Sequence, residues 1–376
     1  MVIMALDHSR DLLHISAMSS DPTDLTTTTV PLFLTRWITH LCAPTFVFLS
    51  GTSAYLSLQK RNQTEQSIAE GRRFLLKRGL VLILLELTVI NFGFWFDFEF
   101  KSWMLQVIWA IGGGMVILSF VSRLPLRWVG IIGLIIIFGH NLLQLLPPIT
   151  GNTARFVTSL FFRTDFFQFS PDFAVLVGYP LIPWLGIMLV GYAIGPLFGQ
   201  PLPYRKQRLA LIGGGALGLF VLLRFINFYG DPAPWSVQKN AVFTVLSFVN
   251  VSKYPPSLLY CLLMLGLALL ILSLADGMTN VLTRVLMVYG AVPMFYYIIH
   301  WYLIHLLMLA VATMQGFTLA DIPDAPFSFG RPKGAGVSLE VVYLIWIGLV
   351  AALYPLCRWY GQYKTANPQK GWLRYF

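Results

Sequence analysis

An all-α, polytopic integral membrane protein of about ten transmembrane helices is the fold class this sequence predicts, and three observations predict it. Hydrophobic residues make up 57% of the 376-residue chain, charged residues only 11%, and the mean hydropathy is +0.70. A soluble domain carries roughly 25% charged residues, so too few are present to cover a surface. Apolar runs recur along the whole length with no polar block large enough for a second domain. Residues 1–376 therefore read as one membrane domain.

Crossing a bilayer takes about 20 mostly apolar residues at about 1.5 Å each. A short helical stretch at 1–18 opens the chain. Candidate spans follow at 31–58, 74–96, 103–121, 126–146, 174–199, 208–229, 256–275, 285–313 and 339–361. Strands are not expected, because the runs are too long and lack period-two alternation. Three loops are long, at 147–173, 230–255 and 314–338, and they place Phe161, Phe162, Phe166, Phe167 and Trp235 at bilayer-edge positions. The apolar stretch 241–251 is too short to span and is expected to lie in the interface or re-enter. Glycine runs at 112–114 and 213–215 allow close helix packing in lipid. Cys42, Cys261 and Cys357 each sit inside an apolar run without a CxxC spacing, which reads as small buried hydrophobes.

Lysine and arginine set the expected orientation. If the loop after the first helix, with Asp21 and Asp24 and no basic residue, faces outward, the inner segments hold sixteen basic residues and the outer ones seven. Lys60, Arg61, Arg72, Arg73, Lys77 and Arg78 crowd the first inner loop. Both termini are then cytoplasmic. A net charge of +10 is explained by this asymmetry, and no nucleic-acid partner is expected.

Ionisable residues inside a span cost a few kcal/mol each, yet the first helix holds Asp7, His8, Arg10, Asp11 and His14 within eight positions. At about 100° per residue, Asp7, Arg10, Asp11 and His14 fall within about 100° of arc. His8 lies to one side, three residues from Asp11. Two carboxylates beside two imidazoles exceed what one ion pair needs and match a general base with a carboxylate to orient it. Neutralisation of Asp7 by Arg10 near the interface is the alternative. The next span adds Arg36 and His40, four apart on one face. Pro44 follows four residues after His40, so it displaces the His40 carbonyl and leaves a kink with a free acceptor. Glu86 is a lone carboxylate in its span. His140, with Asn141 and Gln144, is expected at a solvent-exposed helix end. His300 and His305 are offset by about 140° of arc, so at most one of them reaches the same site.

Five blocks carry a family resemblance: MVIMALDHSRD, FLTRWITHLCAPTFVFLSGTSAYL, YPLIPWLGIMLVGYAIG, NVSKYPPSLLYCLLMLG and YGAVPMFYYIIHWYLIHLL. They resemble a bacterial membrane family related to heparan-α-glucosaminide N-acetyltransferase, in the same order over nearly the whole chain. The resemblance implies acyl transfer from a cytosolic acetyl-CoA to a sugar amine or hydroxyl on the far side of a bacterial cytoplasmic (inner) membrane. In the lysosomal enzyme the catalytic histidine lies in the first outer loop, whereas residues 18–30 here contain none. An asparagine late in that enzyme's first helix aligns with Asp7. The membrane O-acyltransferases of surface sugars are similar at the same helix, where an arginine precedes a catalytic histidine by eleven positions. Counting back from His8 falls before Met1, so the first helix is expected to be short at its start, with an Asp-x-x-Arg-Gly lead upstream.

The expected roles follow. His8 is the base, Asp7 or Asp11 orients it, Arg36 or His40 stabilises the oxyanion, and His14 is a rival base. Arg72, Arg73, Lys77 and Arg78 meet the phosphates of coenzyme A. No metal is expected, because the histidines lack close paired ligand spacing. Expected partners are the lipid bilayer, an acyl-CoA and a sugar or glycan acceptor, with a homodimer open as an assembly. A proton-coupled transporter, using the same stripe as a relay or gate, is the alternative reading.

Overall fold

The structure, a computed structural model, describes residues 1–59, 65–147 and 149–375; Lys60 and Arg61 lie outside the described residues. Its helices are α1 (Val2–Leu13), α2 (Val30–Thr39), α3 (Cys42–Gln59), α4 (Glu65–Leu85), α5 (Asn91–Trp95), α6 (Val107–Val121), α7 (Leu126–Gly139), α8 (Asn152–Phe161), α9 (Leu181–Ile194), α10 (Leu202–Ile226), α11 (Ala241–Val249), α12 (Leu258–Ala275), α13 (Val281–Ala291), α14 (Pro293–Met314) and α15 (Leu339–Ala366). Among the described residues, seven stretches are long and apolar enough to cross a bilayer. With α1, the continuous run α4–α5 and α6, they make up the ten expected rods in the expected order. A π-helical turn, Glu86–Ile90, joins α4 to α5.

Two of the expected spans are broken. Chain 31–58 divides at His40 and Leu41 into α2 and α3. Pro44 has no N–H to give the His40 carbonyl, and the Tyr260 hydroxyl donates to that oxygen instead at 2.8 Å. Chain 285–313 divides at Val292, and Pro293 starts α14 at its first position rather than kinking one long helix.

The expectation of no strands is corrected by a three-stranded sheet. Ser102–Leu105 (β1), Asp165–Ser170 (β2) and Phe173–Val177 (β3) pair in the order β1-β3-β2, with β1 parallel and β2 antiparallel to β3. The sheet takes the starts of the spans expected at 103 and 174. In both places an apolar strand runs almost directly into an apolar helix, and hydrophobicity alone does not mark the change. Phe167, expected at the bilayer edge, is buried in this sheet's own core with Leu105, Val175 and Val177.

Loops gather at two faces. On the basic face Arg205, early in α10, pairs with Asp276 after α12 at 2.5 Å. On the opposite, sheet-bearing face, Lys101 pairs with Asp324. There α11 packs back onto the bundle, too short to cross. Arg224, 1% exposed, pins it by donating to the carbonyls of Ala233, Ser247, Phe248 and Asn250 at 2.7–2.9 Å. One guanidinium thus satisfies the loose backbone ends that a short helix leaves unpaired in a low-dielectric surround.

Glycines set how closely the rods approach. A Cβ on Gly51 of α3 would lie 2.0 Å from the Met188 carbonyl of α9, and one on Gly191 of α9 would lie 2.1 Å from the Phe48 carbonyl of α3. The Thr52 hydroxyl donates across the same seam to the Gly191 carbonyl at 2.9 Å. Gly112 meets Gly79 of α4 in the same manner, and Gly213 meets Gly266 of α12. Gly214 and Gly215, read from sequence as packing residues, face open space. Dispersion between backbones at this range is what holds helices together in lipid, where apolar burial gives no drive. Gly51→Ala is therefore expected to lower unfolding stability in detergent by about 1–3 kcal/mol or more. Gly214→Ala should leave it unchanged or raise it by about 1 kcal/mol through helix propensity. Equal effects of the two would contradict the packing assignment.

Candidate active site

Helix α1 carries its ionisable residues into the bundle, where neighbours match each charge. The Asp7 carboxylate accepts from Arg10 Nη2 at 2.9 Å and from Arg36 Nη1 at 2.7 Å to both of its oxygens. Arg10 Nη2 also donates to Asp11 at 2.5 Å. Asp7 and Arg10 are buried, and the Asp11 side chain is 38% exposed. Arg36 Nη2 reaches the Tyr254 hydroxyl at 3.4 Å. The Lys253 ammonium, 7% exposed, lies 5.0 Å from the Tyr254 ring centre, and no carboxylate pairs with it among the described residues. Two carboxylates therefore face three cations, Arg10, Arg36 and Lys253, which leaves one positive charge without a carboxylate among the described residues.

The geometry gives neither Asp7 nor Asp11 to His8. His8 bonds instead to His300 of α14, Nδ1 to Nε2 at 2.7 Å, and its ring stacks on Trp301 at 4.0 Å. The direction of this bond follows from chemistry. His300 Nδ1 lies 2.9 Å from the Tyr296 carbonyl, which can only accept, so that nitrogen carries the hydrogen. The other nitrogen of a neutral imidazole is an acceptor. His300 Nε2 therefore accepts from His8 Nδ1, and the lone pair of His8 is left on Nε2. No hydrogen bond engages His8 Nε2 among the described residues, and the ring is only half-buried. The imidazole is thus held in one tautomer by a neighbour, the geometry that a base–orienter pair requires.

The other candidates are placed elsewhere. His14 ends α1 on the sheet-bearing face, half-exposed, with Ser16 Oγ 2.9 Å from its Nδ1. His40 is buried against Tyr260, and its Nδ1 has no partner among the described residues. His305 points away from His300 and stacks on Phe96 at 3.9 Å. His140, expected at an exposed helix end, is 7% exposed; beside it the Asn141 side-chain Oδ1 accepts the Leu258 N–H that opens α12. Lys253, Tyr254 and Tyr297 were not singled out by sequence reasoning. A lysine flanked by Tyr-Pro-Pro just before an apolar span was the available signal for the first two.

A cavity of about 700 Å³ lies beside α1. It extends from Ser57, Phe74 and Ala275, near the basic face, to Leu41, Val107 and Tyr297 at mid-bundle. Ser50, Ser53 and Ser57 place hydroxyls along its α3 wall, and Arg78 is its cationic lining residue. Arg72, Arg73 and Lys77 do not line it; Arg73 and Lys77 are exposed on the same helix. The Tyr297 ring lies edge-on to His8 at 6.3 Å, so the deep end of the cavity comes up against the His8 imidazole.

The ion-pair network predicts a hierarchy of stability losses. Asp7→Leu leaves Arg36 without its carboxylate and Arg10 with Asp11 alone, and is expected to cost about 3–5 kcal/mol. Asp11→Asn, at a partly exposed position, should cost about 1 kcal/mol or less. Unfolding of both variants in the same detergent tests this, and a milder effect at position 7 than at 11 would contradict the network.

No curated protein and no solved structure matches this chain. One family model matches residues 1–225, and it is described as heparan-alpha-glucosaminide N-acetyltransferase, catalytic. The match covers more than half of the chain and includes α1, His40 and the α3 wall of the cavity. This integral membrane protein belongs to the heparan-alpha-glucosaminide N-acetyltransferase catalytic family.

Proposed function

We propose that the protein transfers an acetyl group from acetyl-CoA to an amine or hydroxyl of a sugar or glycan, with His8 Nε2 as the general base. The observation that carries this reading is the His8–His300 pair, which supplies a lone pair in a fixed tautomer inside a membrane bundle. Family membership supports acyl transfer in general. Donor, acceptor and sidedness are part of the proposal.

The donor enters from the basic face. Its pantetheine arm threads the cavity along Ser50, Ser53 and Ser57, whose hydroxyls suit the arm's two amides. Arg78 meets a phosphate at the mouth, with Arg72, Arg73 and Lys77 adding positive potential at long range. The acceptor reaches His8 from the sheet-bearing face, past the exposed edges of Asp11 and Tyr254. His8 Nε2 removes the acceptor proton as its nitrogen or oxygen attacks the thioester carbonyl. The resulting imidazolium still donates from Nδ1 to His300, and nearby Asp7 favours the added charge. The unmatched cation of the Arg36–Lys253 cluster offers a counter-charge to the developing oxyanion. In this reading both termini lie on the donor side of a bacterial cytoplasmic membrane.

The purified protein is expected to gain about 2.7 kcal/mol of stability at a hundredfold excess of acetyl-CoA over its dissociation constant. His8→Ala should retain that shift and lose about 10²–10⁴-fold in transfer rate to glucosamine, whereas His14→Ala should stay active. No stabilisation by any acyl-CoA would favour the transporter reading. Near-normal turnover in His8→Ala, with loss in His14→Ala or His40→Ala, would move the base elsewhere.

A further inference from the structure

Among the described residues, Glu86 is the buried carboxylate that the network around α1 leaves out. It is 0% exposed and sits on the π-helical turn Glu86–Ile90. Such turns insert one extra residue into a helix and re-aim the side chains there, frequently at functional sites. Glu86 Oε1 accepts the Gln106 backbone N–H at 2.8 Å. Its Oε2 has no partner among the described residues, and no cation there pairs with the carboxyl. An ionised carboxylate so placed would be an unpaired charge in the membrane interior, which costs several kcal/mol. As a neutral acid the group fits its surroundings. Oε1 is then the carbonyl oxygen that takes the amide, and Oε2 carries a hydrogen with nothing yet to receive it.

The surroundings indicate the receiver. Leu82, one turn before Glu86, and Val107, next to Gln106, both line the deep end of the cavity, as does Tyr297. Tyr297 lies within electrostatic reach of Glu86 and edge-on to His8, and its buried hydroxyl is also without a partner. Glu86 itself is not a lining residue; its carboxyl stands behind the wall that Leu82, Val107 and Tyr297 form at the end of the cavity bordering His8.

We infer that Glu86 is a further catalytic residue, the general acid that protonates the departing coenzyme A thiolate. The inference rests on the acyl-transfer reading. The acceptor's N–H or O–H proton passes to His8 Nε2 as the new C–N or C–O bond forms. The C–S bond then breaks, and Glu86 Oε2 gives its proton to sulfur, so that a neutral thiol leaves. The proton on His8 returns to the Glu86 carboxylate through the Tyr297 hydroxyl, which restores both groups. A thiolate expelled into an apolar cavity would otherwise be a bare anion far from water, so the acid acts where charge would be most costly.

Glu86→Gln keeps an oxygen for the Gln106 N–H but has no acidic proton. The full-length wild type should show an infrared carbonyl band of a neutral carboxylic acid that is missing in Glu86→Gln. That variant should keep its stabilisation by acetyl-CoA and lose about 10²–10⁴-fold in kcat with this donor. The deficit should largely vanish with phenyl thioacetate, whose thiolate leaves without help. The inference is overturned if the band is absent, if Glu86→Gln transfers acetyl at the wild-type rate, or if the variant is slowed equally with both donors. Absence of acetyl-CoA binding by the wild type would instead remove the acyl-transfer reading, while the infrared band still reports the state of Glu86.

Discussion

Everything near the site depends on one constraint, that a charge carried into a lipid-facing bundle must be met by an opposite charge or by a hydrogen bond. Asp7 meets it for two arginines at once. By holding Arg10 on its own helix and Arg36 on α2, the carboxylate locks the register of α1 against its neighbour and sets the depth of His8. Three residues of α14, Tyr296, His300 and Trp301, then complete the site. The Tyr296 carbonyl orients His300, His300 orients His8, and Trp301 stacks on the His8 ring. The polarity of this chain starts at a backbone oxygen that can only accept, so the tautomer of His8 is a consequence of helix geometry.

The remaining architecture keeps that arrangement close and dry. Facing glycines let α3 and α9, α4 and α6, and α10 and α12 approach to backbone contact. Breaks at His40 and Val292 do the opposite, opening room where the bundle would otherwise be filled. The apolar cavity runs past both breaks, with Leu41 and Cys42 at the first and Gly290, Pro293 and Met294 at the second. At its far side Arg224 fastens α11 and, through the Asn250 carbonyl, the segment leading to Lys253 and Tyr254. Packing, cavity and charged cluster are thus parts of one solution to burying polar groups in an apolar solvent.

Much of this is legible in the amino-acid sequence, because lipid enforces strict rules. Ten apolar rods, the polar stripe on α1 and the freed carbonyl at His40 all follow from the cost of exposing backbone or charge in a bilayer. The incompatible directions of His300 and His305 follow from helix periodicity alone. What is not legible depends on contacts between distant parts of the chain. His8 and His300 are 292 positions apart, and nothing local indicates that a histidine rather than Asp7 or Asp11 orients the base. The sheet is hidden because β1 and β3 lead into helices of the same apolar character. Lys253 reads as an ordinary loop cation, and only the folded chain reveals that it is buried beside Tyr254.

The central claim is that His8 is held with a hydrogen on Nδ1 and a free lone pair on Nε2. Nitrogen-15 NMR of protein labelled at histidine, with the His8 signals assigned by their loss in His8→Ala, measures this directly. The account predicts a protonated Nδ1 and a bare Nε2 for His8 at neutral pH, and loss of that preference in His300→Phe. A His8 protonated at Nε2, or one indifferent to the removal of His300, would contradict it.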